Sequence, residues 1–291
     1  MSLAVLLNVL IKPIWVVTEM AVHNAVGNEA WGLYAALLSF AFLFIVLSDL
    51  GINQYLTKTL ASEPDRLQEL YPSLLGLKLV LLALYPLIMA GAGWLIGYRG
   101  MSLVWLSALS FMWGLHQLGA YFRANFQALQ RFRLDSFASI LDRVVLLALV
   151  GVLFATGVSV EGFIGMRLLG AGITAGILFW ALQRIYGWIA PKMNTADWQR
   201  LAKLSLPFAL ITILNSIHDK IDQVMLERMI GSTETGLYAA AYRIMDMFNM
   251  YLWTTQAIIM ARFAFHIKSP AEQGKVMRFG QVIVAWPMLF V

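Results

Sequence analysis

Long apolar runs recur along the whole chain, broken by short polar turns, and their length of about 20 residues is that of bilayer-spanning helices. The pattern predicts helices over 3–25, 32–55, 72–97, 102–123, 135–157, 161–183, 204–226 and 236–262, with a ninth starting near 276. The runs are continuous and do not alternate with period two, which selects helices over barrel strands. The fold class expected is therefore an all-α polytopic membrane protein. Glycine pairs Gly93/Gly97 and Gly172/Gly176 are candidate faces for close helix packing. Pro13, Pro86, Pro207 and Pro287 are candidate bending points.

Composition sharpens this picture. The chain is 60% hydrophobic and 13% charged, about half the charge a water-exposed surface carries. The net charge of +5 suggests no nucleic acid partner once the basic residues are mapped. Thirteen Lys and Arg, from Lys58 and Arg66 through to Lys275 and Arg278, fall in the turns after the even-numbered spans, against Arg99 and Arg228 in the others. That bias orients the N-terminus and the basic turns to the cytoplasm. The stretch from Leu3 has no basic leader and no small-residue cleavage site, so it reads as the first span. There are no cysteines, which removes disulfides, thiolate catalysis and Cys-bound metals. His23, His116, His218 and His266 are too scattered for a metal centre, so no metal site is expected. No nucleoside-triphosphate-binding Gly-x-x-x-x-Gly-Lys motif is present.

The chain repeats itself. Gly27-Asn-Glu-Ala-Trp-Gly-Leu-Tyr-Ala-Ala36 and Gly231-Ser-Thr-Glu-Thr-Gly-Leu-Tyr-Ala-Ala240 align without gaps, identical at six of ten positions and 204 residues apart. Six predicted helices separate them, an even number, so the two halves run the same way through the bilayer about an axis along its normal. Residues 1–203 are expected to form an N-terminal six-helix lobe and 204–291 the start of a C-terminal lobe, truncated in its third helix.

Three of the predicted spans carry polar stripes. Asn8, Lys12, Trp15, Glu19 and His23 share one face of the first. Thr212, Asn215, Asp219, Asp222 and Glu227 stripe the seventh, with Lys220 alongside, and Tyr242, Asp246 and Asn249 stripe the eighth, beside Arg243. Intramembrane charges mark transport pathways by default. Lys12, Glu19, His23, Arg143, Asp219, Lys220, Asp222, Arg243 and Asp246 are therefore the candidate substrate-binding residues lining a cavity. The alternative is a set of interhelical pairs serving assembly, such as Arg243 with Asp246. Lys78 and Arg167 read as snorkelling cations, and His116 as an interhelical hydrogen-bonder. Asp49 and Asn53 could cap or hinge as easily as bind. Adjacent Asp142 and Arg143 point about 100° apart and should not pair well. Six intramembrane cations balance six acids, so charge alone does not choose the cargo. No nucleophile–base pair stands out, and no catalytic residue is assigned.

Lys12-Pro-x-Trp15 with Glu19, the turn Trp31-Gly-Leu-Tyr34, and Leu47-Ser-Asp-Leu-Gly-Ile-Asn53 resemble Wzx-like oligosaccharide flippases, polysaccharide biosynthesis proteins of the multidrug/oligosaccharidyl-lipid/polysaccharide exporter superfamily. The resemblance implies two MATE-like lobes around a cavity that opens alternately to each side. It implies a carrier, not an enzyme, moving an undecaprenyl-pyrophosphate-linked glycan across the bacterial inner membrane for O-antigen and lipopolysaccharide-type surface polymers. A polysaccharide polymerase and a chain-length regulator are the implied partners. No cofactor is implied beyond a possible coupling H⁺ or Na⁺. The rival readings are a cation-coupled multidrug antiporter of the same superfamily and a membrane-embedded glycan polymerase or acyltransferase.

Overall fold

The computed structural model describes residues 3–128, 131–243 and 245, and further on 274, 275, 277, 278, 280 and 281. Residues 1–239 form one compact unit and 240–291 another. The first contains α1 (Leu3–Val26), α2 (Asn28–Leu43), α3 (Ile52–Ser62), α4 (Leu67–Leu95), α5 (Met101–Ala128), α6 (Phe132–Thr156), α7 (Val160–Tyr186), α8 (Thr195–Ile230) and the start of α9 from residue 232. In the second unit the described residues are helical. No strand occurs among the described residues.

Helix α5 is the hub of the first unit, packing on α2, α3, α4, α6 and α7. Two apolar cores form around it. One gathers Trp31, Tyr34, Phe163, Leu106 and Val150 near the turns that carry Gly27 and Gly157. The other gathers Ile52, Leu56, Tyr71, Tyr121 and Leu182 toward the basic turns. Helices α4, α6, α7 and α8 are long and apolar enough to cross a bilayer. The sequence predicts more spans than these four. Helix α5 matches the predicted length, but its second half carries His116, Gln117, Arg123, Asn125 and Gln127, which lowers its apolarity. The predicted spans beyond α8 lie largely outside the described residues.

The second predicted span, 32–55, is not one helix. Helix α2 stops at Leu43, a 3₁₀ turn covers Ile45–Ser48, and α3 begins at Ile52. Leu50 and Gly51 both adopt positive φ, 49° and 76°, which no α-helix can contain; for Leu50 that conformation costs about 1–2 kcal/mol. Irregular backbone is tolerated at membrane depth only where protein covers it. Here Lys78 of α4 supplies the cover, pairing with Asp49 and donating from Nζ to Ser48 O at 3.4 Å. Lys78 is 1% exposed and so does not snorkel.

The repeated turns have the same local geometry. Gly27 and Gly231 sit at φ 84° and 93°. Each donates its amide to the carbonyl four residues back, His23 and Glu227, and accepts from the amide four residues on, Trp31 and Thr235. Each then opens a helix, α2 and α9. The two helix starts also touch. A Cβ at Gly32 would strike the main chain of Ser232 and Gly236, and one at Gly236 would strike the main chain of Asn28. Positions 28/232 and 32/236 are equivalent in the repeat, so the contact is reciprocal, as a two-fold relation requires.

The other glycine pairs behave differently from expectation. Gly93 packs on Leu103 and Leu106, but Gly97, at φ 100°, lies in the turn after α4. Around Gly172 only Leu115 comes within 4 Å, and around Gly176 no described atom does. They are not a close-packing face of this unit.

Candidate functional site

The polar face of α1 turns into the bundle. Trp15 and Glu19 are buried, Glu19 at 2% exposure, and Arg167 of α7 reaches Glu19 Oε1 from 3.4 Å. The same guanidinium nitrogen bonds to the Tyr34 hydroxyl of α2. Around this junction stand aromatic rings. Arg167 lies 5.7 Å from the Trp15 ring centre, 6.0 Å from that of Tyr34 and 5.8 Å from that of Phe163. Arg167 is thus no snorkelling cation; it joins α1, α2 and α7. Ring faces and one carboxylate replace the water that a buried guanidinium needs. Arg143 of α6 approaches the same Trp15 ring at 6.0 Å.

His23 closes α1 onto α2. Its Nε2 lies 2.7 Å from Asn28 Oδ1, and its ring leans on Trp31. This ties both ends of the Gly27 turn.

Further along the bundle, His116 Nε2 lies 3.9 Å from Asp142 Oδ1, and Asp142 Oδ2 lies 3.9 Å from Arg143 Nε. Asp142 and Arg143 do approach, although adjacent on the helix, because the long arginine bends back across the 100° between them. His116 Nδ1 meets its own helix at Met112 O, 3.1 Å away. Beside the pair is a cavity of about 80 Å³ bordered by Thr174, whose hydroxyl is buried without a partner. At about 30 Å³ per water, this holds two.

On α8, Asp219, Lys220 and Asp222 are half-buried. Asp222 accepts from the Tyr238 hydroxyl of α9 and from the Gln223 amide at 2.8 Å. Gln223 accepts from Ser39 Oγ at 2.6 Å, and Ser216 Oγ donates to Leu43 O at 3.1 Å, filling one of the carbonyls left open where α2 ends. At the end of α8, Tyr98 donates to Glu227 Oε2 at 2.9 Å under the Arg228 guanidinium, 3.9 Å above its ring. Burial, and after it the Glu227 carboxylate, hold the Tyr98 phenol well above its ordinary range, so it stays a donor.

The structure thus brings Glu19 and Arg143 to one aromatic junction on α1, α6 and α7. It places Asp219, Lys220 and Asp222 on α8, and His23 at a turn. Arg243, half-buried, belongs to the second unit. The Lys12 side chain and Asp246 lie outside the described residues, as does Pro287. Among the described residues no three His, Asp or Glu gather as metal ligands. Sequence reasoning missed Arg167 and Tyr34 as partners of Glu19. A signal was available: Tyr34 and Tyr238 are equivalent in the repeat, and each hydroxyl engages a charged group, Arg167 and Asp222. Tyr34→Phe is expected to cost about 1.5–3 kcal/mol, the worth of a hydrogen bond to a charged group. The midpoint of unfolding in mixed detergent micelles reads it, and an unchanged midpoint would remove Tyr34 from the junction.

Apolar helices that bury ion pairs against aromatic rings and break only under protein cover define a multi-pass membrane protein. The chain belongs to a specific family of them: residues 1–280 match the family described as polysaccharide biosynthesis protein, and its role is in polysaccharide synthesis or export. No curated protein and no solved structure matches the chain.

Proposed function

We propose that the chain carries a lipid-linked oligosaccharide, an undecaprenyl-pyrophosphate glycan, across the bacterial inner membrane by alternating access. In this reading it is a carrier and not an enzyme, with its N-terminus and basic turns in the cytoplasm. The supporting observation is the reciprocal crossing of Gly32 and Gly236. It relates the starts of two same-way repeats by a local two-fold, the arrangement in which parallel repeats rock about a shared site. Membership of a polysaccharide family supplies the cargo class. The polar groups of α8 and the Arg143 side of α6 are the proposed contacts for sugar hydroxyls and pyrophosphate. The sealed Glu19–Arg167–Tyr34 junction holds α1 in place beside them.

Deleting the gene from its native host is expected to abolish surface polysaccharide while lipid-linked repeat units accumulate on the cytoplasmic leaflet. Normal surface polymer in a clean deletion would overturn the proposal. A fall in resistance to organic cations, with surface polymer intact, would instead support the antiporter of the same superfamily.

A further inference from the structure

Between α3 and α5, toward the basic turns, lies a cavity of about 520 Å³ that the charged stripes do not touch. Its volume is that of a small-ligand site, roughly 300–1,000 Å³. Its walls are unusual for a membrane bundle. Four amides line it, Asn53, Gln54, Gln117 and Gln127, together with the Thr57 hydroxyl, and the only charged side chains on the wall are Lys58 and Arg123. No carboxylate lines it.

The lining is held in position. Asn53 Nδ2 donates to Gln117 Oε1 at 2.8 Å and to Gln117 O at 3.3 Å, which fixes both amides. Asp135 of α6 accepts from Arg123 Nε at 2.7 Å and from Gln127 Nε2 at 3.2 Å through the same oxygen, anchoring those two from behind. Lys58 stands over the Phe208 ring at 5.7 Å. Small Ala120 keeps the floor low. With Asp135 counted, the two cations leave the surroundings one positive charge in excess.

Amides and a hydroxyl serve both as donors and acceptors, which suits sugar hydroxyl and acetamido groups. Paired cations suit phosphate oxygens. An isoprenoid tail finds no apolar wall here. We infer that this cavity is a head-group subsite for a pyrophosphate-linked sugar, with Gln54, Thr57 and Gln117 reading the sugar and Lys58 with Arg123 holding the phosphate. The inference deepens the proposed transport function and rests on it.

The test uses the full chain in lipid nanodiscs and four probes: geranyl-pyrophosphoryl-N-acetylglucosamine, geranyl pyrophosphate, inorganic pyrophosphate and N-acetylglucosamine. Gln54 and Lys58 are exposed, so their substitution leaves the packing intact. Gln54→Ala is expected to weaken the glycosylated probe about tenfold, the loss of one or two hydrogen bonds, and to leave geranyl pyrophosphate unchanged. Lys58→Gln is expected to weaken both pyrophosphate lipids, and Lys58→Arg to restore them. Thr57→Val gives a second reading of the sugar contact should Gln54→Ala fail to fold. Equal loss for the glycosylated and bare lipids in Gln54→Ala, or no loss in either variant, would overturn the subsite. So would inorganic pyrophosphate binding as tightly as the glycosylated lipid, which would mark a plain anion site. Intact surface polymer in the deletion strain, together with sugar-selective binding here, would sink the transport proposal and leave the subsite standing.

Discussion

Lys78→Met is expected to destabilise the protein by about 3–5 kcal/mol, the range for breaking a buried ion pair from one side. The substitution leaves Asp49, 2% exposed, without a counter-charge at the point where α2 gives way to α3. It also removes the donor to Ser48 O, one of the carbonyls that the broken helix leaves open. The double variant Lys78→Met/Asp49→Leu should recover most of the loss, because an apolar pair can replace a buried ion pair at little cost. A deficit of about 1–3 kcal/mol would remain for the unsatisfied Ser48 carbonyl. The unfolding midpoint in mixed detergent micelles measures all three forms. A single variant as stable as the parent would mean that the pair does not hold the break.

Gly32→Ala should be the most damaging addition of a single methyl group. The new carbon would meet main-chain atoms of Ser232 and Gly236, and main chain cannot rotate aside as a side chain can. Overpacking costs about 1–3 kcal/mol in general, and a backbone obstacle places Gly32→Ala at the upper end. Gly236→Ala meets Asn28 in the same way and should behave alike. Gly176→Ala is the control. Open space surrounds it, so the better helix propensity of alanine should make it neutral or stabilising by about 0.5–1 kcal/mol. Equal effects at Gly32 and Gly176 would show that the crossing carries no packing load.

The two effects also separate what the sequence discloses from what it conceals. Hydropathy places α1, α4, α6, α7 and α8 within a few residues, because an apolar run of that length has few other options in lipid. It misses the break after Leu43, since Ile45, Val46 and Leu47 are as apolar as any helix. The cue was local and chemical: Asp49 beside Gly51, with Lys78 two helices along the fold. The 204-residue repeat was legible as letters and proves legible as geometry, down to the paired turns at Gly27 and Gly231. The polar stripes were legible as faces but not as partners. Spacing showed that Trp15, Glu19 and His23 share a side of α1; only packing could bring Arg167 to Glu19, 148 residues away. The amide cavity was invisible for a simpler reason. Asn53 and Gln117 lie 64 residues apart and bear no charge, so a search for intramembrane charge passes over them.

The reciprocal glycine contact carries a further consequence for descent. A chain consisting of one lobe would meet a second copy of itself through this one residue, each glycine accepting the partner's helix start. Such an isologous contact needs no invention when two copies are fused into one polypeptide. After fusion the two positions are free to mutate separately but are not free to be judged separately, because each fixes the room available to the other. Gly32 and Gly236 therefore form one inherited seam, and a change tolerated at either should be read together with the residue facing it.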